Sequence, residues 1–172
     1  MDRLENLDKK EIKELINKCW ITHDAMWFFH TIAISGVETA NQINLAAIES
    51  LAAIEVGRVR KKMGKEYDEI KSFEQVIDVV DSMFGVVKGD FMDFNYSFPE
   101  KNVFHWEVSK CFAYEGMKRM GAHQQYQCGL LHRVSCWLKT MNIEHELDPA
   151  VGYCLLNEID HCSGNILFSF EK

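Results

Sequence analysis

Apolar residues recur at helical spacing in the first half of the chain, which contains no proline. Asp8, with Glu11 three residues later, predicts the N-cap of a first amphipathic helix. The segment 22–35 has few polar breaks and is ended by Gly36, so we expect a central helix buried on most sides. The segment 37–63 predicts one long helix whose small residues allow a neighbouring helix to approach closely.

The second half of the chain changes to a period of two residues. Ser72 predicts the N-cap of a fourth helix that ends at Gly85, and apolar residues then alternate with polar ones over 92–98 and 104–108. The remaining pattern predicts helices over about 111–120 and 126–141 and two closing strands around 153–158 and 165–170. Because the strands come as hairpins, we predict an α+β fold in which N-terminal helices, one of them long, pack on a C-terminal antiparallel sheet. A single domain over residues 1–172 is expected.

Charge and hydropathy narrow the classes of partner. The chain has a formal net charge of −7, so it lacks the basic surface with which proteins neutralise phosphates. Nucleic acid and anionic membranes are therefore not expected as partners. No apolar run reaches the roughly 18 residues needed to cross a bilayer, and the charged start at 1–5 does not resemble a secretion signal. We expect a cytoplasmic protein whose six cysteines are reduced thiols.

The C-terminal cysteines form the strongest candidate for a chemical site. Cys111 lies one helical turn before Glu115, Cys128 lies one turn before His132, and Cys162 falls in the predicted last turn. Thiolate and imidazole groups from several elements suit a transition metal such as zinc, so these three cysteines and His132 are the predicted metal ligands.

The other three cysteines, by contrast, are expected to be small buried hydrophobic residues; they are Cys19, Cys136 and Cys154.

Two polar features interrupt the apolar helices. His23 and Asp24 open the apolar segment 22–35, where they either cap a helix or supply an imidazole for acid–base chemistry. Glu55 interrupts another apolar stretch, so it either pairs with Arg58 on the surface or faces inward towards His23.

Aromatic residues suggest a binding pocket. The predicted sheet carries a row of aromatic side chains, which together with the helix at 22–35 could enclose a mostly apolar cavity, or could simply form the core. The predicted ligand-binding residues are Trp27, Glu55, Phe94, Tyr96 and Trp106.

Several short segments resemble a known group of proteins. They are Cys-Phe-Ala-Tyr-Glu at 111–115, Cys-Gly-Leu-Leu at 128–131, Cys-Ser-Gly-Asn-Ile-Leu-Phe at 162–168, and the stretches at 20–28 and 36–44. This order of segments resembles the aminothiazoline carboxylate hydrolase-like family of prokaryotic proteins and, more distantly, the 4-vinyl reductase domain. The resemblance implies an α+β domain with a ligand pocket between helices and sheet, and in the second group a role in binding small hydrophobic molecules or metal.

Three functional hypotheses follow. The first is a small-molecule binding domain, with or without a metal. The alternative is a hydrolase acting on a small cyclic C–N substrate, with Cys111 as nucleophile or metal ligand, His23 or His132 as base, and Glu115 as the group that orients the base. The third is a structural homodimer built on the long helix.

Overall fold

The computed structural model describes residues 4–169, so the predicted lead-in at 1–3 and the predicted strand end at Phe170 lie outside the described residues. Its helices are α1 (Lys9–Met63), α2 (Phe73–Val87), α3 (Phe112–Arg119), α4 (Gly129–Thr140) and α5 (Leu155–Glu158). Its strands are β1 (Asp93–Ser97), β2 (Val103–Lys110), β3 (Glu144–Asp148) and β4 (Ser163–Ser169). Single 3-10 turns lie at Leu4–Asn6, Lys65–Tyr67 and His123–Gln125.

Helix α1 joins the first three predicted helices into one element of 55 residues. It begins at the predicted cap, where Asp8 and Glu11 form a reciprocal capping box with two 2.8 Å hydrogen bonds. It is interrupted at Gly36, whose φ of 82° and ψ of 164° are not helical. The helix ends at Gly64, so the long segment predicted over 37–63 is confirmed.

The expectation that the segment 22–35 is buried on most sides is wrong. Trp27 is 67% exposed and Ile34 is 84% exposed, because only one side of this half of α1 contacts other elements. Phe28 and Ile32 lie on that side, where they pack against a small second core that includes Tyr126.

Helix α2 begins as predicted. Its N-cap is Ser72, whose hydroxyl accepts a hydrogen bond from the Gln75 N–H. The helix continues two residues past Gly85 to Val87, since a glycine alone does not end a helix whose apolar stripe still packs on the core.

The sheet is antiparallel throughout, with strand order β1-β2-β4-β3. The strand predicted around 153–158 is wrong, because this segment contains the short helix α5. The third strand is instead β3, a mostly polar edge strand whose alternating pattern carries little apolar signal. The fourth strand, β4, begins two residues before the predicted segment and covers it up to Ser169.

Helices cover one aromatic face of the sheet, as predicted. Phe84 of α2 lies 4.5 Å from the Tyr96 ring, 5.1 Å from Phe94 and 5.3 Å from Trp137 of α4, measured between ring centroids. Phe104 is fully buried in the same core. None of the helices in the described chain combines the length and the apolarity needed to span a bilayer.

Candidate functional site

A cavity of about 230 Å³ lies between α1 and the helices α2, α3 and α4, next to the start of β1. Its wall is mostly aromatic and aliphatic. The side chains that form it include Trp20, Ile21, Ala25, Phe28, Ile48, Phe84, Phe94, Phe112, Met117, Met120, Tyr126, Leu130, Val134 and Trp137. We call this space the central cavity.

One polar group on the cavity wall is an ion pair. The Arg133 guanidinium donates two hydrogen bonds to the Glu55 carboxylate, one of them 3.0 Å long from Nε to Oε2. The Trp137 indole N–H donates to the same Oε2 at 3.0 Å. The guanidinium also lies 4.9 Å from the Trp20 ring centroid and 5.6 Å from that of Trp137, which are distances for cation–π interaction.

This ion pair is held away from water. The Glu55 side chain is 10% exposed and that of Arg133 is 22% exposed. Each charge therefore neutralises the other within the wall, and the aromatic rings fix the plane of the guanidinium.

Asp24 supplies a second polar group at the edge of the cavity. Burial raises the pKa of its carboxyl above the ordinary value, while the adjacent His23 and the more distant Arg133 oppose this rise.

The predicted ligand-binding residues separate in the structure. Phe94 lines the central cavity, and Glu55 contacts it through Arg133 rather than facing His23 or pairing with Arg58. Three others do not line it. Trp27 lies on the exposed side of α1, Trp106 is fully buried in the sheet, and the Tyr96 hydroxyl donates to Asp81 at 2.9 Å.

Four cysteines from separate segments lie near enough to one another to affect one another's pKa values. Cys111, Cys128 and Cys154 are the N-cap residues of α3, α4 and α5, and Cys162 directly precedes β4. The Cys162 carbonyl accepts a 2.8 Å hydrogen bond from Val108 of β2, three residues before Cys111. We call these residues the four-thiol cluster.

The thiols of this cluster act on one another electrostatically. Burial, reinforced by the neighbouring thiolates, raises the pKa of Cys128 to about 12 and that of Cys162 to about 11. The pKa values of Cys111 and Cys154 are raised in the same direction, mainly by burial. All four cysteines are free thiols.

His132, a predicted metal ligand, lies in a different group. Its Nε2 is 3.3 Å from Glu49 Oε1 and 3.5 Å from Cys136 Sγ. Within residues 4–169, these are the only three side chains of ligand type whose donor atoms all lie within 4.8 Å of one another. Helix α4 therefore places Cys128 and His132, one turn apart, in separate clusters.

The predicted catalytic residues are only partly brought together. Cys111 and Glu115 are neighbours, and the Glu115 carboxylate adds to the rise in the Cys111 thiol pKa that burial causes. His23 instead accepts a 3.1 Å hydrogen bond from the Trp27 indole on the exposed side of α1. In the part of the chain that the structure describes, the Cys111 sulfur accepts from the Tyr114 N–H, and no imidazole bonds to it.

Comparison with known proteins adds no relative. No protein-family model, curated protein or solved structure gives a significant match to this chain. Function is therefore inferred from the geometry of the site.

Sequence reasoning missed Arg133 and Cys154. Arg133 interrupts an apolar face of α4, and Glu55 interrupts one of α1. Two opposite charges in otherwise apolar helix faces indicate that the two side chains form an ion pair. Cys154 is buried, as expected, but it also precedes a helix just as Cys111 and Cys128 do. The expectation that Cys19 is buried is wrong, because it lies on the exposed side of α1.

Proposed function

We propose that this protein binds a small, mostly apolar molecule in the central cavity. The observation that carries the proposal is an aromatic-lined cavity of about 230 Å³ whose wall includes a neutralised ion pair. Ligand sites are typically apolar concavities with a few fixed polar groups.

The volume limits the size of the ligand. An apolar cavity of roughly 150 Å³ holds benzene, and drug-sized ligands occupy sites of roughly 300 Å³ or more. The central cavity lies between these limits, so we expect one aromatic ring system or a short aliphatic chain.

The polar groups limit its chemistry. Because the carboxylate of Glu55 already satisfies Arg133, a ligand need not carry a full negative charge to be accepted. Aromatic side chains on the cavity wall, among them Phe28, Phe94 and Phe112, favour a flat ligand that packs against their rings.

A cavity-filling substitution tests the proposal. Gly116 lines the cavity within α3, and a Cβ built on it meets no atom within 4 Å. Gly116→Leu therefore fills space and also favours the helix. With 1-aminonaphthalene, a neutral molecule with a single ring system, as the fluorescent probe, we expect this change to weaken binding about tenfold, a loss of ~1.4 kcal/mol.

Gly57→Leu is the matched control. Gly57 lies within α1 away from the cavity wall, and a Cβ there also meets no atom within 4 Å. This variant should bind the probe as the unmodified chain does. Equal affinities for all three proteins, or no binding by the unmodified chain, would contradict the proposal.

The remaining hypotheses have less support and stay predictions. The hydrolase would need an imidazole at Cys111, where the described chain provides none by hydrogen bond. Homodimer formation is favoured by the exposed apolar residues on the outer side of α1, among them Ile16, Trp27 and Ile34. The resemblance to aminothiazoline carboxylate hydrolase-like proteins, a cytoplasmic location and bound zinc are likewise predictions.

A further inference from the structure

Three side chains of ligand type meet where α4 packs against α1. The Nε2 atom of His132 is 3.3 Å from Glu49 Oε1 and 3.5 Å from Cys136 Sγ, and the three donor atoms all lie within 4.8 Å of one another. Imidazole nitrogen, thiolate sulfur and carboxylate oxygen are the ligands that zinc takes in proteins. Tetrahedral zinc, with bonds of about 2.0 to 2.3 Å, places neighbouring donor atoms roughly 3.3 to 3.8 Å apart.

We propose that Glu49, His132 and Cys136 bind a zinc ion. These residues do not line the central cavity, so the assignment goes beyond small-molecule binding and does not depend on it. It keeps His132 from the metal site predicted from the sequence. Cys136 and Glu49 replace the three cysteines that were predicted as the other ligands.

Helix α4 itself places two of the ligands. His132 and Cys136 are four residues apart within this helix, so their side chains lie one turn apart on the same face. Their separation is therefore fixed by regular helix geometry and does not depend on the conformation of a loop. An exposed carboxylate beside a histidine is common on protein surfaces, but here a buried thiol shares the same ring nitrogen.

The third ligand, Glu49, is placed by the packing of α1 on α4. Near the start of α4, Gly129 lies so close to α1 that a Cβ on it would be 3.0 Å from the side chains of Asn44 and Ile48. This close approach holds the two helices together one turn or less before Glu49.

A second contact fixes the two helices beyond Glu49. Glu55 of α1 accepts hydrogen bonds from Arg133 and Trp137, which directly follow the two ligands of α4 in the sequence. The ligands therefore lie on rigid elements that are fixed to each other on both sides, which is the arrangement that preorganises a metal site.

Two neighbours compete for one ring nitrogen in this group. If Nε2 of His132 carries a proton, it can donate to the Glu49 carboxylate, but it cannot accept from the Cys136 thiol. If Nε2 carries no proton, it can accept from the thiol, but its lone pair then faces those of the carboxylate. A zinc ion accepts lone pairs from all three atoms at once, so it satisfies the whole group.

The proposed site is open to solvent on one side. The Glu49 side chain is 61% exposed and that of His132 is 23% exposed, whereas Cys136 is buried. Three protein ligands leave the fourth tetrahedral position to water, which reaches the ion from the Glu49 side. This ligand number is typical of zinc sites with an open position, since purely structural sites have four protein ligands.

Cobalt binding tests the thiolate ligand. The full chain, reduced and freed of metal, should bind about one Co²⁺ per chain with the near-ultraviolet absorption of a cobalt–thiolate bond, and zinc should abolish this absorption by displacing the cobalt. Cys136→Ser should lose the absorption, whereas Cys19→Ser, at an exposed thiol of α1, should keep it. No such absorption in the unmodified chain, or an unchanged absorption in Cys136→Ser, would overturn the assignment.

A matched pair of variants tests the carboxylate ligand. Glu49→Gln should weaken zinc binding by at least about tenfold, measured by competition with a chromophoric chelator. Glu38→Gln, at another exposed position of α1, is the control and should bind zinc as the unmodified chain does. Both side chains are exposed, so neither change is expected to disturb folding. Equal zinc affinities of the two variants would refute the inference.

X-ray absorption at the zinc edge gives a readout that does not depend on variant folding. The unmodified chain loaded with one equivalent of zinc should show a single sulfur at about 2.3 Å and nitrogen or oxygen ligands at about 2.0 to 2.2 Å. Two or more sulfurs per zinc would place the ion at other cysteines, and no sulfur would exclude Cys136. Either result would contradict the proposed site.

Discussion

At the scale of single residues, Glu55 is the side chain whose replacement is expected to affect stability most. Its carboxylate accepts hydrogen bonds from both Arg133 and Trp137 and is almost excluded from water. Removing one member of a buried ion pair leaves the other charge unpaired, which costs more than the pair itself contributes.

Glu55→Gln should therefore destabilise the fold by about 3 kcal/mol. The amide keeps the shape of the side chain, but it leaves the Arg133 charge without a counterion. Urea denaturation measures the change in the free energy of unfolding. Glu38→Gln, at an exposed position of the same helix, is the control and should change it by less than about 0.5 kcal/mol. Similar values for both variants would show that the ion pair contributes little.

At the scale of elements, the interruption of α1 separates a first half that contacts the rest of the molecule along one side from a second half that packs on the main core. Gly36 takes φ and ψ values that are essentially restricted to glycine, and a Cβ there meets no neighbouring atom. Backbone strain alone therefore determines the effect of a substitution. Gly57, by contrast, is helical and open to solvent.

Gly36→Ala should lower the free energy of unfolding by about 1 to 3 kcal/mol, whereas Gly57→Ala should raise it by up to about 1 kcal/mol. Thermal unfolding followed by circular dichroism gives both signs in one experiment. If Gly36→Ala stabilises the protein as Gly57→Ala does, the non-helical backbone at Gly36 does not require glycine.

Elements with strong local signals could be predicted from the sequence. The caps at Asp8 and Ser72 and the alternating strands β1 and β2 depend on neighbouring residues alone, and they are found where predicted. Strand β3 could not be predicted, because its own residues are mostly polar and it is stabilised by pairing with β4. The exposure of Trp27 could not be predicted either, because apolar character does not show which side of a helix contacts other elements.

At the scale of the whole molecule, the central cavity and the four-thiol cluster are neighbours. Tyr126 lines the cavity, and its buried hydroxyl accepts a hydrogen bond from Gly129, the residue after Cys128. The thiolates of Cys128 and Cys111 add to the rise that burial causes in the Tyr126 pKa.

The sequence predicted part of this site. It identified Cys111, Cys128 and Cys162 among the four cysteines, and Phe94 in the cavity wall. Cysteines and alternating aromatic residues can be recognised in a sequence by residue type alone. It could not show that His132 turns away from Cys128, or that Glu55 meets Arg133. Both depend on how α4 is rotated against α1.

The four tryptophans offer the most direct test of ligand binding in the central cavity. Trp20 and Trp137 line the cavity, whereas Trp27 is on the outer surface and Trp106 is in the sheet. Nitrogen-15 labelling of tryptophan makes each indole N–H a separate NMR probe, assigned by single Trp→Phe variants. On titration with 1-aminonaphthalene, the Trp20 and Trp137 signals should shift in a saturable manner while the other two stay in place. A shift of Trp27 alone, or no shift of Trp20 and Trp137, would contradict the account.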